Sequence, residues 1–177
     1  MTFLSVYTPT YKRPQALARC KASVAAQTIP TEHVIIVDEI GIGIDGMYGA
    51  IQDHAGKVNG EYVLVLSDDN YIIHSDFAER LQAVSLEAMR PDVIVFKNDI
   101  AGLCIQPVEW GRVVYGNIDL SCFAVKRRIW QRHSDAWGKN YAGDFYFIHT
   151  LEKMGYTFHW WDSLEIRASR ISQGVAE

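Results

Sequence analysis

Short apolar runs that stop abruptly at acidic residues set the tightest limit on how this chain can fold. Tyr62-Val63-Leu64-Val65-Leu66 is the most apolar of them and passes directly into Ser67-Asp68-Asp69-Asn70. Val34-Ile35-Ile36-Val37 behaves alike and stops at Asp38-Glu39. A continuous apolar run of this length reads as a strand covered on both faces. Residues 3–8 form another such run, ended by Pro9, and residues 93–96 a fourth. Helix patterns lie between them. Leu17, Cys20, Val24 and Gln27 share one face of a helix whose first turn takes Pro14, where the missing N–H costs nothing. A glycine-rich turn (Gly41, Gly43, Gly46, Gly49) leads into Met47, Ile51, His54, Ala55 and Val58 at helical spacing, stopped by Asn59-Gly60. Phe77, Leu81, Val84 and Ala88 mark a further helix. Alternating strands and helices predict an α/β fold, a mostly parallel central sheet with helices on both faces.

The second half is less regular. Residues 99–117, with Gly102, Pro107, Gly111 and Gly116 and the rings of Trp110 and Tyr115, read as a long excursion over the sheet. Residues 120–125 read as a strand, Gly143-Asp144 as the opening of a helix through Phe145, Ile148 and Leu151, residues 156–161 as a last strand, and Ile166 onward as a tail. With 177 residues and no repeat, low-complexity segment or linker, residues 1–177 read as a single domain.

The formal net charge of −4 argues against a general nucleic-acid binder, which needs a basic face. Lys126-Arg127-Arg128 reads as a solvated helix start. Three cysteines, Cys20, Cys104 and Cys122, without paired spacing fit a reducing compartment, and no apolar stretch is long enough to cross a bilayer, so a cytoplasmic location is expected. Aromatic residues reach 12%, enough to fill a core and leave some rings to line a cleft, where they stack on a base or a sugar. Exposed tryptophans would also serve a dimer contact, and the oligomeric state stays open.

Ligands of open α/β sheets bind beyond the carboxyl ends of the strands, and acidic residues stand at two such ends. Asp68-Asp69 offers carboxylate oxygens to a hard divalent cation, or forms a polar turn. Asp38-Glu39 accepts hydrogen bonds from a base or a ribose, or caps a helix. Asp144 stands near a helix N-terminus, where capping alone would suit it. His149 and His159 have no metal-ligand spacing and read as core or surface residues.

In order and spacing these segments resemble the family 2 glycosyltransferases, whose nucleotide-binding fold is called GT-A. Ser5-Val6-Tyr7-Thr8-Pro9-Thr10-Tyr11-Lys12-Arg13-Pro14 is similar to the family's first strand and PTYNRP turn, and Ala26-Gln27-Thr28 to the helix ending after it. Val34-Ile35-Ile36-Val37-Asp38-Glu39 resembles IIVVDD, and the segment from Gly60-Glu61-Tyr62 to Asp68-Asp69-Asn70 resembles the metal-binding signature GEYILFLDDDD. Residues 118–127 look like the strand ahead of the acceptor region, and Gly143-Asp144 falls where the family carries ED. The resemblance covers nearly the whole chain and implies a single, compact, Rossmann-like GT-A domain. It implies an inverting, metal-dependent transferase, moving a sugar from a nucleotide-diphosphate sugar, a UDP-sugar by family prevalence, to an acceptor hydroxyl. Pro9, Tyr11, Arg13, Asp38, Glu39 and Asp68 would bind the nucleotide sugar, Asp69 would bind Mn2+ or Mg2+, and Asp144 would be the catalytic base.

Four departures stand out. The stretch from Asp38 to Asp68 is short and leaves room for one strand fewer. Gly49-Ala50-Ile51 replaces the family's ARN, Glu39 replaces its second aspartate, and Gly143 replaces the acid before the base. Two rival readings remain. A non-catalytic nucleotide-sugar binding module would share the fold. A sugar nucleotidyltransferase would want an early glycine-rich, basic phosphate loop, and residues 8–13 contain no glycine.

Overall fold

The computed structural model describes residues 2–39, 41, 43–138 and 141–168. The first strand, β1 (Leu4–Thr10), leads into α1 (Pro14–Ala25), which takes Pro14 in its first turn. Next come β2 (Thr31–Val37) and α2 (Gly43–His54), then a single turn of 3-10 helix, then β3 (Tyr62–Val65). No strand lies between β2 and β3 among the described residues, matching the short stretch seen in the sequence. The chain continues through β4 (Asn70–Ile72), α3 (Phe77–Glu87), β5 (Val93–Ile100), β6 (Cys104–Gln106) and β7 (Phe123–Lys126). It closes with α4 (Arg127–Arg132), α5 (Gly143–Lys153) and β8 (Phe158–Ala168).

The strands form one sheet in the order β2-β1-β3-β7-β5-β8-β4, with β6 paired to β5. β1 pairs in parallel with both β2 and β3, and β5 pairs in parallel with β8. β7 runs antiparallel between β3 and β5, so β1, β2, β3, β5 and β8 all point the same way. Their carboxyl ends share one rim, and β4 and β7 start from that rim. Alternate residues of each strand feed opposite faces. Tyr62, Leu64 and Leu66 enter a core with Cys20 and Val24 of α1 and Phe77 and Leu81 of α3. Val63 and Val65 enter the other core, with Ile51 of α2, Trp130 of α4 and Phe147 and Leu151 of α5. Helices therefore cover both faces, which is why the strands read as unbroken apolar runs.

Several boundaries differ from the sequence pattern: β1 runs past Pro9 to Thr10, α2 stops at His54 before a 3-10 turn, β5 runs on to Ile100, and two further differences shape the second half. Residues 120–122 form a turn of 3-10 helix, because the Asp119 side chain accepts a hydrogen bond from the Ser121 N–H and bends the chain before β7 begins. The last strand runs on to Ala168, since Ile166 is buried in the α1/α3 core and pairs with Asn98 and Ile72. The rest of the expected tail lies outside the described residues. No described helix is long and apolar enough to cross a membrane.

Candidate active site

Two adjoining clefts open on the carboxyl rim, and Pro9, Arg13, Met47 and Asp68 line both. The first, of about 630 Å³, lies beyond the ends of β1 and β2 against α2. Pro9, Tyr11, Arg13, Asp38 and Glu39 line it. Asp38 is fixed at the end of β2: its N–H donates to the Thr10 carbonyl at 2.8 Å, and its Oδ1 accepts from the Gly41 N–H at 2.8 Å. Gly41 has φ of +80°, and a Cβ there would come within 2.4 Å of the Tyr11 hydroxyl, so glycine lets the Tyr11 ring lie against this turn. Tyr11 stays 37% exposed and offers its ring to the cleft.

Asp68 and Asp69 follow β3, where β1 outlasts its neighbour by three residues. That overhang brings Thr10 and Arg13 onto the acidic pair. Thr10 Oγ1 donates to Asp68 Oδ2 at 2.8 Å, and one Arg13 nitrogen lies 3.2 Å from both Asp68 Oδ1 and Asp69 Oδ2. Asp68 is only 4% exposed. Burial pushes its carboxyl above the usual range, opposed by the Thr10 hydrogen bond and the Arg13 charge. Asp69 remains partly open to the second cleft. Adjacent carboxylates on a cleft wall suit a hard divalent cation that completes its coordination with waters and phosphate oxygens. Among the described residues no cluster of three or more His, Cys, Asp or Glu could hold a metal by itself. The donor set thus fits a cation shared with a substrate, and does not form a closed protein cage.

The second cleft, of about 570 Å³, contains Asp69, Asp119 and Asp144. Asp144 lies in the first turn of α5, and its Oδ1 accepts from the Phe145 N–H at 2.7 Å. Burial, then the neighbouring Asp119 charge, raise its carboxyl to about 7, against partial stabilisation by backbone N–H groups of Phe145, Asp144 and Leu120. Asp119 reaches the rim because β7 runs antiparallel to β3, so the residues preceding β7 arrive where β3 ends. Its Oδ1 accepts from the Ser121 N–H at 2.8 Å and from Asn98 Nδ2 at 3.1 Å, and burial pushes its carboxyl up as well. Ser121 Oγ also accepts from Asn70 Nδ2 at 2.9 Å, tying this loop to the Asp68-Asp69 turn.

Gly143, the departure from an acidic pair, has a steric cause. A Cβ there would meet the Trp137 carbonyl oxygen at 2.3 Å and the Tyr48 ring at 2.7 Å. Tyr48 comes from α2, is buried, stacks on Trp137 with centroids 5.7 Å apart, and has its hydroxyl stabilised by the Asp144 backbone N–H. An aromatic wall thus stands where the sequence resemblance led us to look for a second carboxylate.

Pro9, Tyr11, Arg13, Asp38, Glu39, Asp68, Asp69 and Asp144 therefore all line the two connected clefts. Arg13 lies on the acidic pair as well as at the nucleotide-side cleft. His149 and His159 line neither cleft; His149 stacks on Phe145, and His159 pairs with Ile94 inside the sheet. Sequence reasoning passed over Asp119, Ser121, Tyr48 and Tyr141. The Asp-x-Ser spacing of 119–121, which favours a local side-chain turn just before an apolar run, was a usable signal for the first two. The aromatic residues had none: Tyr48 stands on a helix, where a tyrosine reads as core, and Tyr141 stands in a turn that no apolar pattern marks.

The fold is that of the GT-A group: a mostly parallel rim-forming sheet carrying its clefts at the strand ends. Among solved structures, the chain is similar to S. aureus TarS, at 14% identity and a TM-score of 0.67, over 95% of this chain and 37% of that one. It is also similar to TarS 1–349 in complex with UDP-GlcNAc, at 13% identity and a TM-score of 0.63, over 95% of this chain and 58% of that one. A third similar structure is A197 from STIV, at 15% identity and a TM-score of 0.62, over 93% of this chain and 84% of that one. The chain thus spans between a third and two thirds of the TarS chains it matches. No protein-family model and no curated protein sequence matches it.

Proposed function

We propose that this protein is a family 2-type glycosyltransferase that moves a sugar from a nucleotide-diphosphate donor, a UDP-sugar, to an acceptor hydroxyl with inversion. The observation that carries this reading is a shared cleft: Asp69 and Asp144, 75 positions apart in the chain, face one cavity that adjoins a second cavity at the ends of β1 and β2. TarS, which shares the fold, has been captured with UDP and with UDP-GlcNAc. Pro9, Tyr11, Asp38 and Glu39 would hold the nucleoside in the first cleft, with the Asp68 carboxylate beneath the ribose. Asp69, with Asp68 beside it, would hold Mn2+ or Mg2+. Such a cation, when bound, offsets the charge that develops on the departing diphosphate. Asp144 accepts the proton of the acceptor hydroxyl as that oxygen bonds to the anomeric carbon. The bond from that carbon to the diphosphate breaks on the opposite face, and its electron pair leaves with the nucleoside diphosphate. A base near pH 7 is well matched to this task, strong enough to take the proton and ionised at working pH. The free thiols of Cys20, Cys104 and Cys122 suit the reducing cytoplasm.

The test is incubation with a panel of nucleotide sugars plus manganese, following release of nucleoside diphosphate. Slow hydrolysis of a UDP-sugar supports the transferase. Tight donor binding with no turnover under any acceptor would instead make the chain a binding module.

A further inference from the structure

Beyond Asp144 the second cleft is walled by residues with no role in donor binding. Tyr141 and Tyr115 stand at its edge, 81% and 64% exposed. Tyr115 is braced edge-on against Phe145, with centroids 5.3 Å apart at 79°, and Phe145 is itself stacked on His149 at 5.0 Å. Other tyrosines of this chain, Tyr7, Tyr48 and Tyr62, are buried. Both rings are more exposed than Tyr11 at 37% or Tyr146 at 42%, and both line the cleft that holds the candidate base.

The charge of the cleft narrows what those rings can meet. Asp68, Asp69, Asp119 and Asp144 line it, and among the described lining residues the one cation is Arg13, whose guanidinium already lies on Asp68 and Asp69. With Asp68, Asp69 and Arg13 engaged at the donor, the described lining of this half of the cleft has no cation left to receive an anionic acceptor group. A sugar ring is uncharged, has an apolar C–H face that packs flat on an aromatic ring, and carries hydroxyls around its edge.

We propose that this half of the cleft is the acceptor subsite and that it takes a neutral sugar, laid on Tyr141 and Tyr115 with one hydroxyl directed at Asp144. The proposal rests on the transferase reading and deepens it. The attacking hydroxyl gives its proton to Asp144 and gains the anomeric carbon that the nucleoside diphosphate gives up.

Saturation-transfer NMR on the full chain, with UDP and the diamagnetic Mg2+ present, tests the subsite without needing turnover. The probes are cellobiose, lactose and N,N′-diacetylchitobiose as neutral sugars and glycerol 3-phosphate as the anionic polyol. Irradiation of the aromatic protons should reach the ring protons of at least one neutral sugar. Tyr141→Ala, at an exposed position where folding is not at stake, should weaken that sugar by about tenfold, and Tyr115→Ala should do so in the same direction. Binding of UDP with no transfer to any neutral sugar overturns the subsite alone, as does preference for glycerol 3-phosphate or wild-type affinity in both variants. Failure of UDP and UDP-sugars to bind, measured separately by calorimetry, overturns the transferase reading and the subsite with it.

Discussion

The two clefts of this protein use the same residue type under opposite conditions. In the nucleotide-side cleft, Asp68 has a cation and a hydroxyl on its carboxylate, Arg13 at 3.2 Å and Thr10 at 2.8 Å. In the other cleft, Asp144 has no cation among the partners that set its charge, only backbone N–H groups and the like charge of Asp119. Both carboxyls are pushed up by burial. At Asp144 the neighbouring Asp119 charge reinforces burial, and the carboxyl reaches about 7. One aspartate is set up as a fixed acceptor of hydrogen bonds, the other as a group that exchanges a proton near neutrality.

The largest expected effect breaks the second half of that comparison. Asp144→Asn should reduce transfer by about 10²- to 10⁴-fold and leave UDP-sugar affinity within a few-fold of wild type. In the wild type the rate should climb with pH through about 7, because the base works only when ionised. Full transfer by the variant would remove Asp144 from its role. The same substitution has a stability signature. A carboxyl raised from 3.8 to about 7 contributes stability that is fully present below 3.8 and is lost as pH rises through 7. Asparagine does not ionise, so the variant should melt above wild type at pH 8 and lose that advantage at pH 4.

How much of this was legible beforehand follows the same division. Asp38, Asp68 and Asp69 stand directly after apolar runs, so strand identity and rim position could be read together from Val34-Ile35-Ile36-Val37 and Tyr62-Val63-Leu64-Val65-Leu66. The other cleft is assembled by antiparallel pairing, a 3-10 turn and the start of a helix. Asp119 reaches the rim only because β7 runs against β3, and no local pattern in residues 118–126 encodes that direction. Tyr48 comes from α2, 95 positions earlier in the chain and in the same core as α5, so its contact with Gly143 belongs to tertiary packing. Asp144 itself was found through its resemblance to a motif, since capping would explain an aspartate there equally well.

A second, smaller effect addresses the acidic pair where the two clefts adjoin. Asp69→Ala should weaken UDP-sugar binding in the presence of Mn2+ by about tenfold or more, and leave binding without the cation much less changed. Calorimetry with and without chelator separates the two. Equal affinities in wild type and variant under both conditions would take the cation off Asp69.

Gly143→Ala probes the junction between the clefts. The added methyl would press on the Trp137 carbonyl oxygen and the Tyr48 ring at 2.3 and 2.7 Å. Backbone cannot yield cheaply there, so α5 must shift at its first turn, at a cost of about 1–3 kcal/mol. The expected readout is a lower melting temperature together with a fall in kcat larger than any rise in donor KM, because Asp144 moves with that turn. A variant as stable and active as wild type would mean that Tyr48 swings aside freely.

The smallest effect is the most specific to the contrast between the two aspartates. Asp119→Asn retains Oδ1, which accepts from Ser121 and Asn98 at 2.8 and 3.1 Å, so the loop before β7 should keep its shape. The variant removes a like charge whose effect on Asp144 is second to burial. The pKa of Asp144 should fall, and the acid limb of the pH–rate profile should move to lower pH. A weaker base also accepts its proton less readily, so the plateau rate above pH 8 should drop by less than about tenfold. The two profiles would then cross, with the variant relatively better at low pH and worse at high pH. Parallel profiles of unequal height would assign Asp119 to positioning alone and leave burial as the whole cause of the raised base.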